Sequence, residues 1–150
     1  MCSLSLIGET MRVCGVEIKA DEAVISLVAL ENNLYDIPHL RVPKIALQKG
    51  TDAENIRKFQ FAFKKLVEDY KIDAVVIKER ATKGKFAGGS QGFKIEAAIQ
   101  LIDDLQVELV RANIIKEKLN KAQVSIDFRD TGLKQFQQNA FETAFTFFNP

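Results

Sequence analysis

The run Ala74–Ile77 is continuously apolar and largely β-branched, the composition of a strand covered on both faces. Such a strand needs neighbours on both edges and helices above and below, so the chain around it is read as an α/β layer structure. The run leads to Glu79, held between Lys78 and Arg80. A basic, glycine-rich loop follows, with Lys83, Gly84, Lys85, Gly88, Gly89 and Gly92. Ser90 is placed to cap the next helix, which starts near Gln91. Ligands of open α/β sheets collect just beyond the carboxyl ends of their strands. An acid at that point, ringed by positive charge and glycine, marks where a site is expected.

The rest of the 150 residues fit one domain. Residues 1–10 read as an N-terminal extension ahead of a domain spanning 11–150. Two apolar strands, 11–19 and 23–30, form a hairpin, with Glu17 the one acidic residue inside the first. A third strand is expected over 40–47, at an edge because of Pro43. Thr51 and Glu54 form a capping box for a helix that runs to Tyr70 with Ile56, Phe59, Phe63, Leu66, Val67 and Tyr70 on one stripe. Then come a strand at 73–78, a well-buried helix at 91–104, a strand at 107–110 and a basic helix at 114–122. Residues 127–132 read as loop and 135–148 as a last helix. The order βββαβαβαα predicts a mixed five-stranded sheet, order 3-2-1-4-5, with helices on both faces.

Charge narrows the function classes. The net charge is +1, so no bulk attraction to nucleic acid or membrane is expected. Positive charge is instead local: Lys78, Arg80, Lys83, Lys85 and Lys94 face only Glu79 between positions 78 and 94. That pattern fits local anion binding through lysines and backbone N–H groups, although the glycines lack the Gly-Lys-Ser/Thr register of a P-loop. Lys116, Lys118 and Lys121 form a second basic face. Cys2 and Cys14 have no metal or redox spacing, and Cys14 reads as a small core residue in a reducing cytoplasm. His39 stands alone in a loop. No run is long enough to span a bilayer, and no leader pattern opens the chain.

Three places resemble the ribonuclease H-like superfamily, and within it the RuvC-type Holliday-junction resolvases. They are Val13-Cys-Gly-Val-Glu-Ile18 opening the hairpin, Val75-Val-Ile-Lys-Glu79 leading through the small-residue loop into Gln91-Gly-Phe-Lys-Ile-Glu-Ala-Ala, and Asn139-Ala-Phe-Glu-Thr-Ala144 on the last helix. The chain also resembles an uncharacterised bacterial family of unknown function over nearly its whole length. The resemblance to resolvases implies a metal-dependent nuclease acting on structured nucleic acid, DNA or RNA. It would have Glu17, Glu79 and Glu142 as catalytic carboxylates holding Mg²⁺ or Mn²⁺. It also implies Lys78, Arg80, Lys83, Lys85, Lys94 and Lys118 as nucleic-acid contacts, with Asp21, Asp127 and Asp130 as reserve acids. The resolvases' dimeric habit, together with the stripe Phe141, Phe145 and Phe148, points to a homodimer.

Two departures support a different expectation. The first-strand acid of those nucleases is usually Asp, whereas this chain has Glu17. Asn139 stands where a last-helix acid would be. Both fit a catalytically degenerate domain that binds nucleic acid or a protein partner. The nucleotide-binding relatives in the sugar-kinase and actin group use two such domains around a cleft, and this chain has one.

Overall fold

The computed structural model describes residues 10–48, 53–79, 90–122, 124 and 126–149. The hairpin is formed by β1 (Thr10–Lys19) and β2 (Glu22–Glu31), antiparallel with Gly15 opposite Ser26 and Glu17 opposite Val24. Asn32 and Asn33 both take positive φ, the backbone of a tight turn whose twist suits a hairpin. The chain therefore returns at once as β3 (Leu34–Asp36), with β4 (Lys44–Ala46) following. Both pair with β2, at opposite ends of it.

The expected edge strand over 40–47 is thus shorter, and Leu34–Asp36 is an addition. Pro43 explains the first point: it has no N–H for a ladder, and its carbonyl instead accepts from the Ile25 amide at 2.9 Å. The second strand was hidden because three residues carry too little pattern to read.

Next, α1 (Ala53–Tyr70) lays Phe59, Phe63 and Leu66 into the core, with Ile56, Val67 and Tyr70 at its margin. Its expected cap at Thr51 lies outside the described residues. Lys71 takes positive φ, and the Ile72 amide bonds back to the Val67 carbonyl at 3.0 Å, closing the helix. The buried strand β5 (Ala74–Lys78) pairs parallel to β1, with Val13 beside Ala74 and Val16 beside Ile77.

The next described element, α2 (Ser90–Gln100), ends one turn short of expectation. The strand β6 (Gln106–Val110) runs parallel to β5. Then follow α3 (Ala112–Lys121), two short 3₁₀ turns and α4 (Gln138–Thr146). The sheet order is β3-β2-β1-β5-β6, with β4 on β2. The expected order and mixed polarity are borne out, with six strands among the described residues where five were expected.

Strand alternation divides the core in two. Cys14, Val16, Ile18, Val75 and Ile77 point to α1 and α2. Val13, Val28, Ala74 and Val76 point to Phe141, Ala144 and Phe145 of α4. Of the stripe Phe141, Phe145 and Phe148, the first two are core, each 3% exposed, and Phe148 is partly buried against Tyr35. Burying such side chains stabilises by about 2–3 kcal/mol each. Because the stripe is spent on the chain's own sheet, it carries no argument for a homodimer. No helix among the described residues is long and apolar enough to cross a membrane.

Candidate functional site

The rim begins with the pleat. Glu17 follows Val13 and Gly15 on the face of β1 that meets α4. On β5, Ala74, Val76 and Lys78 share that same face, so the parallel register brings Lys78 beside Glu17. The Lys78 ammonium lies 4.0 Å from Glu17 Oε2, and that of Lys19 lies 3.7 Å from Oε1. From above, the Asn139 amide of α4 donates to Glu17 Oε2 at 2.7 Å. The Glu17 side chain is only 12% exposed, so this carboxylate is desolvated and answered by two cations and an amide. Its Oε1 makes no hydrogen bond.

Glu79 follows Lys78 on the alternate side of the pleat. Its amide continues the ladder to the Val110 carbonyl at 2.8 Å, and its carboxylate accepts from Arg111 Nε at 3.1 Å. Glu142 sits one turn beyond Asn139 on α4 and accepts from Gln138 Nε2 at 3.2 Å. The strands carrying Glu17 and Glu79 are adjacent, as expected. The three carboxylates, however, have separate partners, and no group of three or more acidic, histidine or cysteine side chains that could hold a metal occurs among the described residues.

The donor set therefore does not fit a pair of divalent ions. Two metals about 3.5–4 Å apart need several carboxylates from separate elements. Here the neighbour of Glu17 on β5 is an ammonium, and its neighbour on α4 is an amide.

Lys78, Asn139 and Glu142 open onto a cleft of roughly 440 Å³ between α4 and α3, which adds Asn113 and Lys116. Lys116 belongs to the basic face seen in the sequence, and Asn113 and Arg111 were not singled out there. Lys118 lies in a neighbouring groove with Tyr35 and Phe148. Lys94 is carried by α2, on the opposite side of the sheet. Arg80, Lys83 and Lys85 lie outside the described residues.

Of the reserve acids, Asp21 sits in the β1–β2 turn, its carbonyl accepting from the Leu47 amide. Asp127 caps a 3₁₀ turn through the Arg129 amide. The Arg129 guanidinium holds its carboxyl below the usual carboxylate range. Asp130 is exposed in the same turn. None of the three joins Glu17. The Cys14 thiol is fully buried, and burial pushes its pKa up to about 12. It is an inert core residue.

A profile of the family described as "Protein of unknown function (DUF3010)" matches residues 11–147. The chain belongs to that family. The match takes in every element of the DUF3010 chain from β1 to α4, including Glu17, Lys78, Asn139 and Glu142.

No curated protein sequence matches it. Among solved structures, this DUF3010 member is similar to RuvC of Thermus thermophilus, at a TM-score of 0.70 and 12% identity over 91% of this chain and 92% of that one. The T. thermophilus RuvC in complex with a Holliday junction substrate aligns at 0.62 and 12% identity, covering 91% of each chain. The yeast mitochondrial Holliday junction resolvase aligns at 0.50 and 9% identity, over 93% of this chain and 77% of that one. At these identities the likeness shows the fold, which is ribonuclease H-like.

Proposed function

We propose that this protein is a ribonuclease H-like domain that binds structured nucleic acid and does not cleave it by a two-metal mechanism. One observation carries the reading: Lys78 occupies the place beside Glu17 on the neighbouring strand, 4.0 Å from its carboxylate, while the Asn139 amide takes the same oxygen at 2.7 Å. An ammonium held there supplies the positive charge that a metal would supply, and it repels a divalent ion.

Binding is supported by the cations gathered around α3. Lys78 and Lys116 line the cleft on one flank of α3, and Lys118 and Lys121 line a groove on its other flank, where Lys121 pairs with Glu117. A strand backbone is a phosphate polyanion, so lysines on both flanks of one helix can each meet phosphates and give salt-dependent attachment. The presence of a Holliday junction in one of the structures of similar fold makes branched DNA the first ligand to try.

A gel-shift and cleavage assay on a four-way DNA junction and on structured RNA tests the reading. Retarded complexes should form in EDTA and weaken with salt, and the substrate should stay uncut in Mg²⁺ or Mn²⁺. Absence of any complex, or cutting that Glu17→Gln abolishes, would overturn it.

A second reading keeps the protein as a Mg²⁺- or Mn²⁺-dependent nuclease that uses Glu17, Glu79 and Glu142. Its support is Glu17 Oε1, buried and without a hydrogen-bond donor. Among the described residues only the Lys19 ammonium, at 3.7 Å, faces that oxygen, and a lone pair without a hydrogen bond can still take a water or a metal ion. The same cleavage assay separates the two readings.

A further inference from the structure

Two clefts flank the seam between α3 and α4 and share a wall made by Leu119 and Glu142. They differ in chemistry. The first carries the ammonium groups of Lys78 and Lys116 and the amides of Asn113 and Asn139. The second, also of roughly 440 Å³, is lined by Gln135, Gln138, Phe128 and the Asp127–Arg129 pair. Each falls in the range of small-ligand sites, about 300–1,000 Å³.

A ladder of side chains runs along the dividing wall. Gln135 Nε2 donates to Gln138 Oε1 at 2.8 Å, and Gln138 Nε2 donates to Glu142 Oε2 at 3.2 Å. Glu142 lies one turn above Gln138 on α4, and Gln135 reaches Gln138 from the 3₁₀ turn that precedes the helix. Each amide has two N–H groups and a carbonyl with two lone pairs, so the ladder leaves donors and acceptors on both glutamines for a ligand. The wall thus grades from cations, through a carboxylate, to paired amides.

We propose that these two adjoining clefts take one nucleotide without a metal ion, laid across their shared Leu119–Glu142 wall, its phosphate between Lys78 and Lys116 and its base against the Gln135–Gln138 edge. This rests on the nucleic-acid reading above and names the unit recognised. A phosphate is acceptor-only and needs the ammonium groups. Glu142, which would repel phosphate, is an acceptor suited to a sugar hydroxyl, and it sits at the wall between the two ends. A base edge offers donors and acceptors side by side, as does a pair of neighbouring carboxamides. The nucleotide can be free or can be one unstacked residue of a strand.

Calorimetric titration of the full chain in EDTA tests this with inorganic phosphate, the nucleoside monophosphates, the matching nucleosides and short DNA and RNA oligonucleotides. At least one nucleoside monophosphate should bind tenfold or more tighter than inorganic phosphate and than its own nucleoside. Lys116→Ala should weaken every phosphate-bearing ligand about tenfold and leave the nucleoside unchanged. Gln135→Ala should flatten the preference among bases and leave inorganic phosphate unchanged. Tighter binding of the oligonucleotide with the same two sensitivities assigns the site to a strand residue, and the opposite ranking assigns it to a free nucleotide. Monophosphates that bind no better than phosphate, or variants that are folded and unaffected, would overturn the proposal. If oligonucleotides still bind while both variants are silent, the nucleotide site falls and the nucleic-acid reading survives. If mononucleotides bind with these sensitivities while no polynucleotide does, that broader reading falls and the site stands.

Discussion

Ala144 of α4 rests directly on Gly15 of β1. A Cβ built on Gly15 would stand 2.8 Å from the Ala144 Cβ and 2.6 Å from its amide nitrogen, and it would collide with the Ala140 carbonyl oxygen. This contact seats α4 on the sheet closely enough for Asn139, just before Ala140, to reach Glu17, two residues along β1 from Gly15. The small residues at this crossing position the rim.

Gly15→Ala should therefore be costly. Backbone atoms cannot swing aside as a side chain can, so α4 must lift off the sheet. A loss of about 3 kcal/mol is expected, at the upper end for overpacking, and urea unfolding would measure it. Crosslinking or NMR should also show Asn139 released from Glu17.

Asn139→Asp replaces a donor with a second carboxylate against a desolvated one. The loss of a hydrogen bond to a charged group is worth about 2 kcal/mol, and like charges raise the pKa of one acid of the pair. A raised carboxyl pKa means the folded state binds a proton that the unfolded chain has already released. The variant should therefore be least stable above that pKa and recover as pH falls toward 5. Thermal melts of variant and parent from pH 5 to 8 check this. A deficit that is the same at every pH would contradict it.

Cys14 supplies an alkaline prediction. Its folded pKa is raised from 9.0 to about 12 by burial. The thiol's contribution is complete below the unfolded value and declines as pH rises from there to the folded one, because only the unfolded chain ionises in that window. Relative to Cys14→Ala, the parent should lose on the order of 1 kcal/mol between pH 8 and pH 10. Urea denaturation of both proteins at the two pH values gives the difference directly.

Gln137 holds the 3₁₀ turn before α4 onto the hairpin. Its side chain is buried, donating to the Ile25 carbonyl at 3.0 Å and accepting from the Lys134 amide at 3.1 Å. Gln137→Leu should cost about 2 kcal/mol through the unpaired groups it leaves. Amide exchange at Lys134 should accelerate with it.

Much of this architecture is written in local pattern. The two-faced run at Ala74–Ile77 and the hairpin runs placed β1 beside β5, and the stripe from Ile56 to Tyr70 placed α1. Glu17 stood out because a charge inside an apolar strand needs a partner. What the sequence hid was the partner. Whether Lys78 or Glu79 shares a face with Glu17 depends on the register between strands some sixty residues apart in the chain, and period-2 alternation flips every side chain with a one-residue slip. A signal did exist: Gly15, Ala74, Ala140 and Ala144 are all small, as a close helix-on-sheet crossing requires, and Lys78 lies in phase with Ala74. The sixth strand and the early end of α2 were beyond reading, being set by tertiary contacts over three or four residues.

The charge arrangement at Glu17 is tested most directly by calorimetric Mn²⁺ titration of the parent, Lys78→Glu and Glu17→Gln. With the ammonium in place the parent should take up no Mn²⁺ at this rim, whereas Lys78→Glu, which sets a second carboxylate beside Glu17, should gain a site. Stoichiometric Mn²⁺ binding by the parent that Glu17→Gln removes would contradict the account.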